Sequence, residues 1–388
     1  MRRILILDTG TQGLAIINSL HVIKCFIGLV YREYNNYADR SKHIGKKYYI
    51  ESPIMDDSYL QTLIEIIRRD NYDALIPMSD QAAEFLSKNK NELKKHIAFK
   101  IADYANFLNG YDKSRLMTLC AIKGYPHPKT IDLVGLDTDN FTDKMFKDFP
   151  FPAMLKPNLT TGGRGMRYIE NYEDLIKIYP IIKKQYGDCH LQQFIQRGGH
   201  QLKIQIYVDS QQRLVCSSAM DKIRWYPIAG GASCCSVSTK NEKMVNICHN
   251  ILKDIKWKGF ADFDIIENPI TKELLIMEIN PRVPACIRTA ICAGINWGEV
   301  IVNDLFNIKQ KKYDYITGMS VRHLGFDCLW FLHSSERFNT IPSWFNFFGK
   351  NVHYQDLIWN DPKPFFMGTF HNILKLFYSD FRREKQGI

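Results

Sequence analysis

Residues 277–282 read Met-Glu-Ile-Asn-Pro-Arg and put a carboxylate, an amide and a guanidinium on alternate positions, just after the apolar run Leu274-Leu275-Ile276. In an extended strand Glu278, Asn280 and Arg282 point to one face, and Met277 and Ile279 to the other. A second run, 259–266, carries Asp262 and Asp264 on a shared face, and the segment 267–272 between the two reads as a hairpin connection. Pairing across it brings Asp264 near Glu278 and Asn280. Three hard oxygen donors so close desolvate badly without a cation, and Mg2+ favours such a set when phosphate oxygens complete its octahedron. A solvent-facing acidic hairpin explains the spacing equally well.

A second chemical signal lies upstream. Phe151-Pro152-Ala153-Met154-Leu155-Lys156-Pro157 is a short strand with a lysine at its end, followed by Thr160-Thr161-Gly162-Gly163-Arg164-Gly165-Met166. Three glycines in four residues let backbone N–H groups approach an anion, and Lys156 and Arg164 add charge. A phosphate-gripping flap is favoured over a plain hairpin turn. No Gly-Lys-Ser/Thr closes the loop, so it is not a Walker A motif.

The elements that must position these groups follow from hydrophobic patterning. Ile4–Leu7 reads as a buried strand, followed by the turn Asp8 to Gly13 and an amphipathic helix over 14–20; Phe26–Tyr31 is a second strand, 58–69 a helix and Ala74–Pro77 a third strand. Alternating strands and helices imply a parallel sheet flanked by helices. The Gly10 to Gly13 turn lacks a full GxGxxG, and Glu33 falls too early for the usual ribose acid, so a tight structural turn is favoured over a dinucleotide site. Past residue 105 the pattern changes. Asp112-Lys113 precedes a helix over 114–123, stopped by Gly124, Pro126 and Pro128. Asp80, just past the third strand, either faces a ligand or caps the helix that starts at Gln81.

The chain has 388 residues, enough for two or three domains, and 45% hydrophobic content excludes a disordered chain. A formal charge of +10 suits anionic partners such as nucleotides, and does not select a fold. Ten cysteines without paired spacing form no zinc or disulfide framework, and adjacent Cys234-Cys235 suits ordinary disulfide geometry poorly. The N-terminal apolar run is too short for a signal peptide, and no stretch reaches transmembrane length, so the expected location is cytoplasmic.

Taken in order, Asp112-Lys113, Leu155-Lys156-Pro157, the Thr161 to Met166 loop, Leu191-Gln192-Gln193-Phe194-Ile195, Asp264 and Glu278-Ile279-Asn280-Pro281-Arg282 resemble the ATP-grasp superfamily. The similar branch contains the carbamoyl phosphate synthetase large chain and biotin carboxylase. The resemblance covers roughly residues 1 to 305. It implies an α/β and α+β architecture: a Rossmann-like pre-ATP-grasp domain over 1–108, then an ATP-grasp domain of two α+β subdomains over 109–308, with its lid subdomain at about 116–190. An aromatic-rich extension follows over 309–388. It further implies that ATP lies between the two subdomains, with Lys113 and Lys156 on phosphates and Thr161, Gly162, Gly163, Arg164, Gly165 and Met166 closing over them. Gln192, Gln193, Phe194 and Ile195 would hold adenine, and His200 would approach the ribose. Asp264, Glu278 and Asn280 would hold Mg2+, with Mn2+ as an alternative, and Arg282 would neutralise the transferring phosphoryl group. The chain departs from the family in carrying Gln192 and Gln193 where the hinge usually has an acid, residues whose amide carbonyl can still accept from adenine, and Asp264 where a glutamate is usual.

The implied reaction is ADP-forming: a carboxylate attacks the γ-phosphorus of ATP, and an amine attacks the resulting acyl phosphate to give an amide. Such a site needs cations and metal ligands more than a nucleophile triad. Between hinge and hairpin, Lys222 to Ser233 combines Lys222 and Arg224 with aromatics and Gly230-Gly231, and Arg224 is the preferred substrate-carboxylate or phosphate contact; solvated charges on a strand edge are the equal alternative. The tail is dense in aromatics, from Trp330-Phe331 to Phe365-Phe366 and on through Phe377 to Lys385. Completion of a core or of a homodimer contact is favoured over a peripheral membrane surface, and no nucleic-acid module frames it. The alternatives to a carboxylate–amine ligase are a grasp enzyme that phosphorylates bicarbonate or another small substrate, and a noncatalytic nucleotide-binding regulator. Small-molecule carboxylate and amine are the partners expected.

Overall fold

A computed structural model describes residues 1–33, 37–228 and 230–375. The apolar run at the start forms β1 (Arg3–Leu7), which lies between β2 (Phe26–Tyr31) and β4 (Ala74–Pro77), with β3 (Lys46–Tyr49) outside β2. All three pairings are parallel. Ile4, Leu5, Ile6 and Leu7 are all fully buried, as expected of a strand covered on both faces by helices. The helices are Thr11–Val22, Asp57–Arg69 and Asp80–Lys88. Asp57–Arg69 buries Tyr59, Leu60, Leu63, Ile64, Ile66 and Ile67, the stripe that a 3.6-residue period demands. The first turn is tight: a Cβ on Gly13 would fall 1.4 Å from Thr9 Oγ1. Only glycine fits there, which accounts for the Gly10 to Gly13 signal without a ligand.

A four-stranded antiparallel sheet follows, in the order β5-β8-β6-β7, from β5 (Thr130–Asp132), β6 (Ala153–Pro157), β7 (Arg167–Ile169) and β8 (Cys189–Gln193). The helix Tyr172–Tyr186 buries Leu175, Tyr179 and Ile182 in the core that this sheet shares. The remaining strands are β9 (Gln201–Val208), β10 (Leu214–Tyr226), β11 (Ala232–Thr239), β12 (Gly259–Glu267), β13 (Leu274–Asn280), β14 (Ser320–Arg322) and β15 (Val352–Tyr354). They form one sheet ordered β13-β12-β9-β10-β11-β14-β15.

The chain divides into two compact units. One comprises Met1–Phe107, Lys203–Asp262 and the described residues from Asn280 onward; the other comprises Leu108–Leu202 and Phe263–Ile279. Each has its own core, the first built around Ile4, Leu14, Ile76, Tyr207, Trp297 and Val300, the second around Leu155, Tyr179 and Leu191. Within the stretch 109–308, Lys203–Asp262 and the residues from Asn280 group with Met1–Phe107. In the extension, among the described residues, β14 pairs antiparallel with β11 and parallel with β15, which extends the main sheet by two strands. The stretch from Phe377 to Lys385 lies outside the described residues.

Candidate active site

In the smaller unit two lysines come forward from different elements. Lys113 is the first residue of the helix Lys113–Lys123, whose cap is Asp112; that carboxylate accepts from the N–H groups of Ser114 and Arg115. The cap satisfies two of the orphan donors of the first turn and so fixes where Lys113 leaves the helix. Its Nζ donates to the Thr160 carbonyl at 2.7 Å and lies 3.4 Å from Glu278 Oε2. Lys156, near the end of β6, is only 8% exposed, and its Nζ donates to Gln192 Oε1 at 2.6 Å. A buried ammonium whose hydrogen-bond acceptor is a neutral amide is costly. Burial pushes its pKa down to about 8, with the charge of Glu278 opposing and that of Lys113 assisting. An anionic oxygen is the group that would relieve this strain, so Lys156 fits a nucleotide phosphate.

The segment after Lys156 is the loop of a hairpin between β6 and β7, in which Leu155 faces Arg167. Gly162, Gly163 and Gly165 take φ of 67°, 75° and 77°, a region that other residues enter at a cost. A Cβ on Gly165 would meet the Tyr186 ring at 2.7 Å and Pro157 Cγ at 2.9 Å. Thr161 Oγ1 accepts from Arg164 Nη2, and Met166 N–H donates to the Gly163 carbonyl. The loop is thus a hairpin turn, with glycines 162 and 163 exposed and Arg164 on its outside.

The Gln192 side chain is fully buried, with Oε1 accepting from Lys156 and Nε2 3.3 Å from Thr130 Oγ1. Gln193 Oε1 accepts from the Lys129 N–H at 3.3 Å, Phe194 packs edge-on against Tyr168, and Ile195 is buried. His200 is exposed, with its carbonyl taken by the Glu267 N–H.

Two residues that patterning did not single out support the lysines. Asn158 and His190 are 2% and 1% exposed, and His190 Nδ1 lies 2.8 Å from Asn158 Oδ1. The available signal was the alternation His190, Gln192 along a strand that pairs with Lys156.

The carboxylate strand also resolves into partners. Glu278 in the smaller unit stands by Lys113, and Asp264 is partly exposed on β12. In the larger unit Asp262 is fully buried, bound by Lys203 at 2.7 Å and Gln205 at 2.8 Å, which removes it from any open ion site. Asn280 Nδ2 sits 3.4 Å from both Asp262 Oδ2 and the Asp262 carbonyl. Among the described residues no three His, Cys, Asp or Glu side chains converge. Arg282 Nε lies 3.4 Å from Asp80 Oδ2, and Ser79, not Asp80, caps the helix Asp80–Lys88.

Arg224, expected on a substrate loop, is enclosed by an internal ion pair. It is 0% exposed, with Nε and Nη2 paired to the two Asp327 oxygens at 2.6 and 3.0 Å, Nη1 on the Pro342 carbonyl, and the guanidinium over Trp330. Arg322 Nε binds the same Asp327 at 2.6 Å. Three buried charges here join β10, β14 and the helix Leu324–His333, so the arginine's partner is a carboxylate 103 residues away. Lys222 Nζ is 3.4 Å from the Gly231 carbonyl; Ala229, in the same loop, lies outside the described residues. The aromatic tail splits: Trp330 is buried and Phe331 stacks on Trp344 at 4.1 Å, whereas Phe338, Phe345 and Phe348 stay exposed.

Paired lysines beside a glycine hairpin, in an α/β scaffold, are the features by which the sequence resembles ATP-grasp proteins. Residues 112–293 match the family model described as carbamoyl-phosphate synthase L chain, ATP binding domain. D-aspartate ligase of Enterococcus faecium is 26% identical over 286 residues, 68% of this chain and 68% of that protein. The carbamoyl phosphate synthase large chain of Clostridium acetobutylicum is 24% identical over 258 residues, 62% of this chain and only 23% of its own length. Among solved structures, the biotin carboxylase domain dimer of Hydrogenobacter thermophilus 2-oxoglutarate carboxylase, with MgADP and bicarbonate, superposes with a TM-score of 0.67 at 17% identity over 82% of this chain and 73% of that one. L-amino acid ligase from Bacillus licheniformis gives 0.59 at 12% identity over 79% and 74%. At such identities the structures speak for the fold. The family match over residues 112–293 and these relatives make the chain similar to ATP-grasp enzymes that activate a carboxylate with ATP, and one structural neighbour holds MgADP.

Proposed function

We propose that the chain joins an amino-acid-sized carboxylate to an amine through an acyl phosphate. The observation that carries this reading is Lys156, a buried ammonium with a neutral amide for a partner, beside a second lysine held by Glu278. Lys156 and Lys113 would bind ATP phosphates, and the Thr161 to Met166 hairpin would cover them with its N–H groups. Glu278, Asp264 and Asn280 would hold Mg2+. The Asn280–Asp262 contact supports this, because alternation carried two residues toward the turn sets Asp264 opposite Glu278. Arg282, two residues beyond Asn280, would stabilise the charge that develops on the phosphoryl group, oriented by Asp80. The backbone of Gln193 to Ile195 is left for adenine, since the Gln192 side chain serves Lys156. His200 is the candidate nearest in sequence for the ribose.

The chemistry is then positioning and charge neutralisation. The carboxylate oxygen forms a bond to the γ-phosphorus as the bond to the β-phosphate oxygen breaks; the amine nitrogen next displaces phosphate from the acyl carbon and loses a proton. None of the ten cysteines is in a disulfide, which supports a reducing, ATP-rich setting such as the cytoplasm. No single helix among the described residues is long and apolar enough to cross a membrane. The names of the relatives, a D-aspartate ligase and an L-amino acid ligase, favour amino acids as the first panel.

The test is ADP and phosphate release with Mg-ATP against D- and L-amino acids and small carboxylates, singly and in pairs, with Glu278→Gln as the blank. ADP formed only when acid and amine are both present, and absent in the variant, is the expected result. Release with bicarbonate alone would replace the ligase reading with bicarbonate phosphorylation. Nucleotide binding without turnover on any pair would favour a regulator.

A further inference from the structure

His190 sits on β8 directly across from Lys156 on β6, in a place where a cation is hardest to keep. It is buried, and burial, followed by the charges of Lys156 and Lys113, holds its pKa well below the usual histidine value. The ring is therefore neutral. Its Nδ1 meets Asn158 Oδ1 at 2.8 Å, an arrangement in which the imidazole donates and the amide oxygen accepts. Asn158 Nδ2 is shielded from solvent and has no hydrogen-bond partner among the described residues, so the contact with His190 is the polar interaction that orients this side chain.

Asn158 occupies a junction. It follows the last residue of β6 and opens the glycine hairpin. Its N–H donates to the Asp188 carbonyl at 2.9 Å, and its carbonyl accepts from the Lys113 N–H at 3.3 Å. Two residues later the Thr160 carbonyl accepts from Lys113 Nζ at 2.7 Å. One side-chain contact thus sits where the root of the hairpin, the start of the Lys113 helix and the strand of Lys156 meet.

We propose that His190 is a positioning residue which, through Asn158, fixes the root of the glycine hairpin against Lys113 and Lys156 so that the assembly grips the outer phosphates of the nucleotide. This rests on the ATP reading above. A neutral ring is required because a third buried cation beside two lysines would be repelled by them. Loss of the contact frees Asn158 and, with it, the hairpin. Adenine and ribose, held elsewhere, are untouched.

The experiment compares dissociation constants of AMP, MgADP and the magnesium complex of a non-hydrolysable ATP analogue for the full chain, for His190→Phe, for Asn158→Ala and for the double variant. His190→Gln, which can still donate to Asn158, is the conservative rescue. Expected are about a tenfold or greater weakening of MgADP and analogue in each single variant, roughly the loss of one to two hydrogen-bonded contacts to a charged group. AMP binding stays unchanged, the double variant is no worse than the singles, and His190→Gln binds close to wild type. Amide exchange over residues 159–166 rises in the same variants. Equal weakening of AMP and MgADP, or unchanged MgADP binding in Asn158→Ala, overturns the proposal. If His190→Phe does not fold, Asn158→Ala and His190→Gln carry the comparison. A wild-type chain that binds no nucleotide refutes the ATP reading instead, so the two failures are distinguishable.

Discussion

Lys156 offers the sharpest test of the electrostatics. Burial lowers its pKa from the usual 10.5 to about 8, a cost of about 3 kcal/mol for keeping the ammonium in the free protein. A phosphate oxygen favours the charged form, so the bound-state pKa rises again. Below pH 8 the residue is charged before and after binding, and affinity is flat. Above pH 8 binding must take up a proton, and the dissociation constant grows up to tenfold per pH unit; at pH 9.5 MgADP should bind roughly 30-fold more weakly than at pH 7.5. Phosphate groups titrate near pH 6 and are silent in this window. Replacing Gln192 by Glu puts a carboxylate where Oε1 now lies, 2.6 Å from Nζ, and should restore an ordinary lysine pKa. Calorimetric titrations with MgADP from pH 7 to 9.5, in two buffers of different ionisation enthalpy, measure affinity and proton uptake together. Wild type should lose affinity and take up about 0.9 proton at pH 9, and Gln192→Glu should do neither. A flat profile in wild type refutes the buried-ammonium argument; a wild-type slope in Gln192→Glu refutes Gln192 as the partner that sets it. Folding has the matching sign: because the unfolded chain holds the proton longer, this group makes stability rise between pH 8 and 10.5.

Other outcomes follow from the same contacts. Glu278→Gln should abolish ADP formation while leaving the fold intact, as read by turnover and thermal melting together, since the residue is partly exposed and its ion pair with Lys113 adds little stability. Asp327→Asn should cost about 3–5 kcal/mol in denaturant unfolding, because it leaves Arg224 and Arg322 buried without the carboxylate they share. A matching loss of affinity for MgADP, measured under conditions where the variant is folded, would argue that the clasp has a part in binding after all. Gly165→Ala should destabilise by about 1–3 kcal/mol and weaken nucleotide binding, from its φ of 77° and the Tyr186 contact. Asp80→Asn should lower kcat more than it raises KM for ATP if that carboxylate orients Arg282; equal effects on both would count against the role.

Much of the scaffold was legible because local patterns carry it. The strands Phe26–Tyr31 and Ala74–Pro77 and the helix after Asp112 follow from apolar periodicity and a capping acid, all short-range effects. The expected ions on alternate positions 278, 280 and 282 needed only the period of a strand. The partners of buried polar groups were another matter. Arg224 beside aromatics and a Gly-Gly turn looked like a substrate loop, and the carboxylate that claims it comes from a helix about a hundred residues on. Gln192 had the right chemistry for adenine, but a lysine on the neighbouring strand took its oxygen. Residues 309 onward carried no family pattern, so their two strands in the main sheet were invisible until β11 was seen to need neighbours.

The sequence by itself determined which chemistry the protein has available: two lysines, a glycine hairpin, and carboxylates and an amide with an arginine at strand spacing, in an order that resembles the ATP-grasp family. These are properties of residue type and local period, and they survive without knowledge of the fold. Tertiary structure alone decided which of those groups are open and which are consumed. Burial makes an unmatched charge cost several kcal/mol, so every enclosed ion must find a partner, and that partner is set by how distant strands pack. Asp262 and Arg224 were matched in this way by Lys203 and Asp327, while Lys156 was matched only by the Gln192 amide, and that incomplete match is what marks it for an anion.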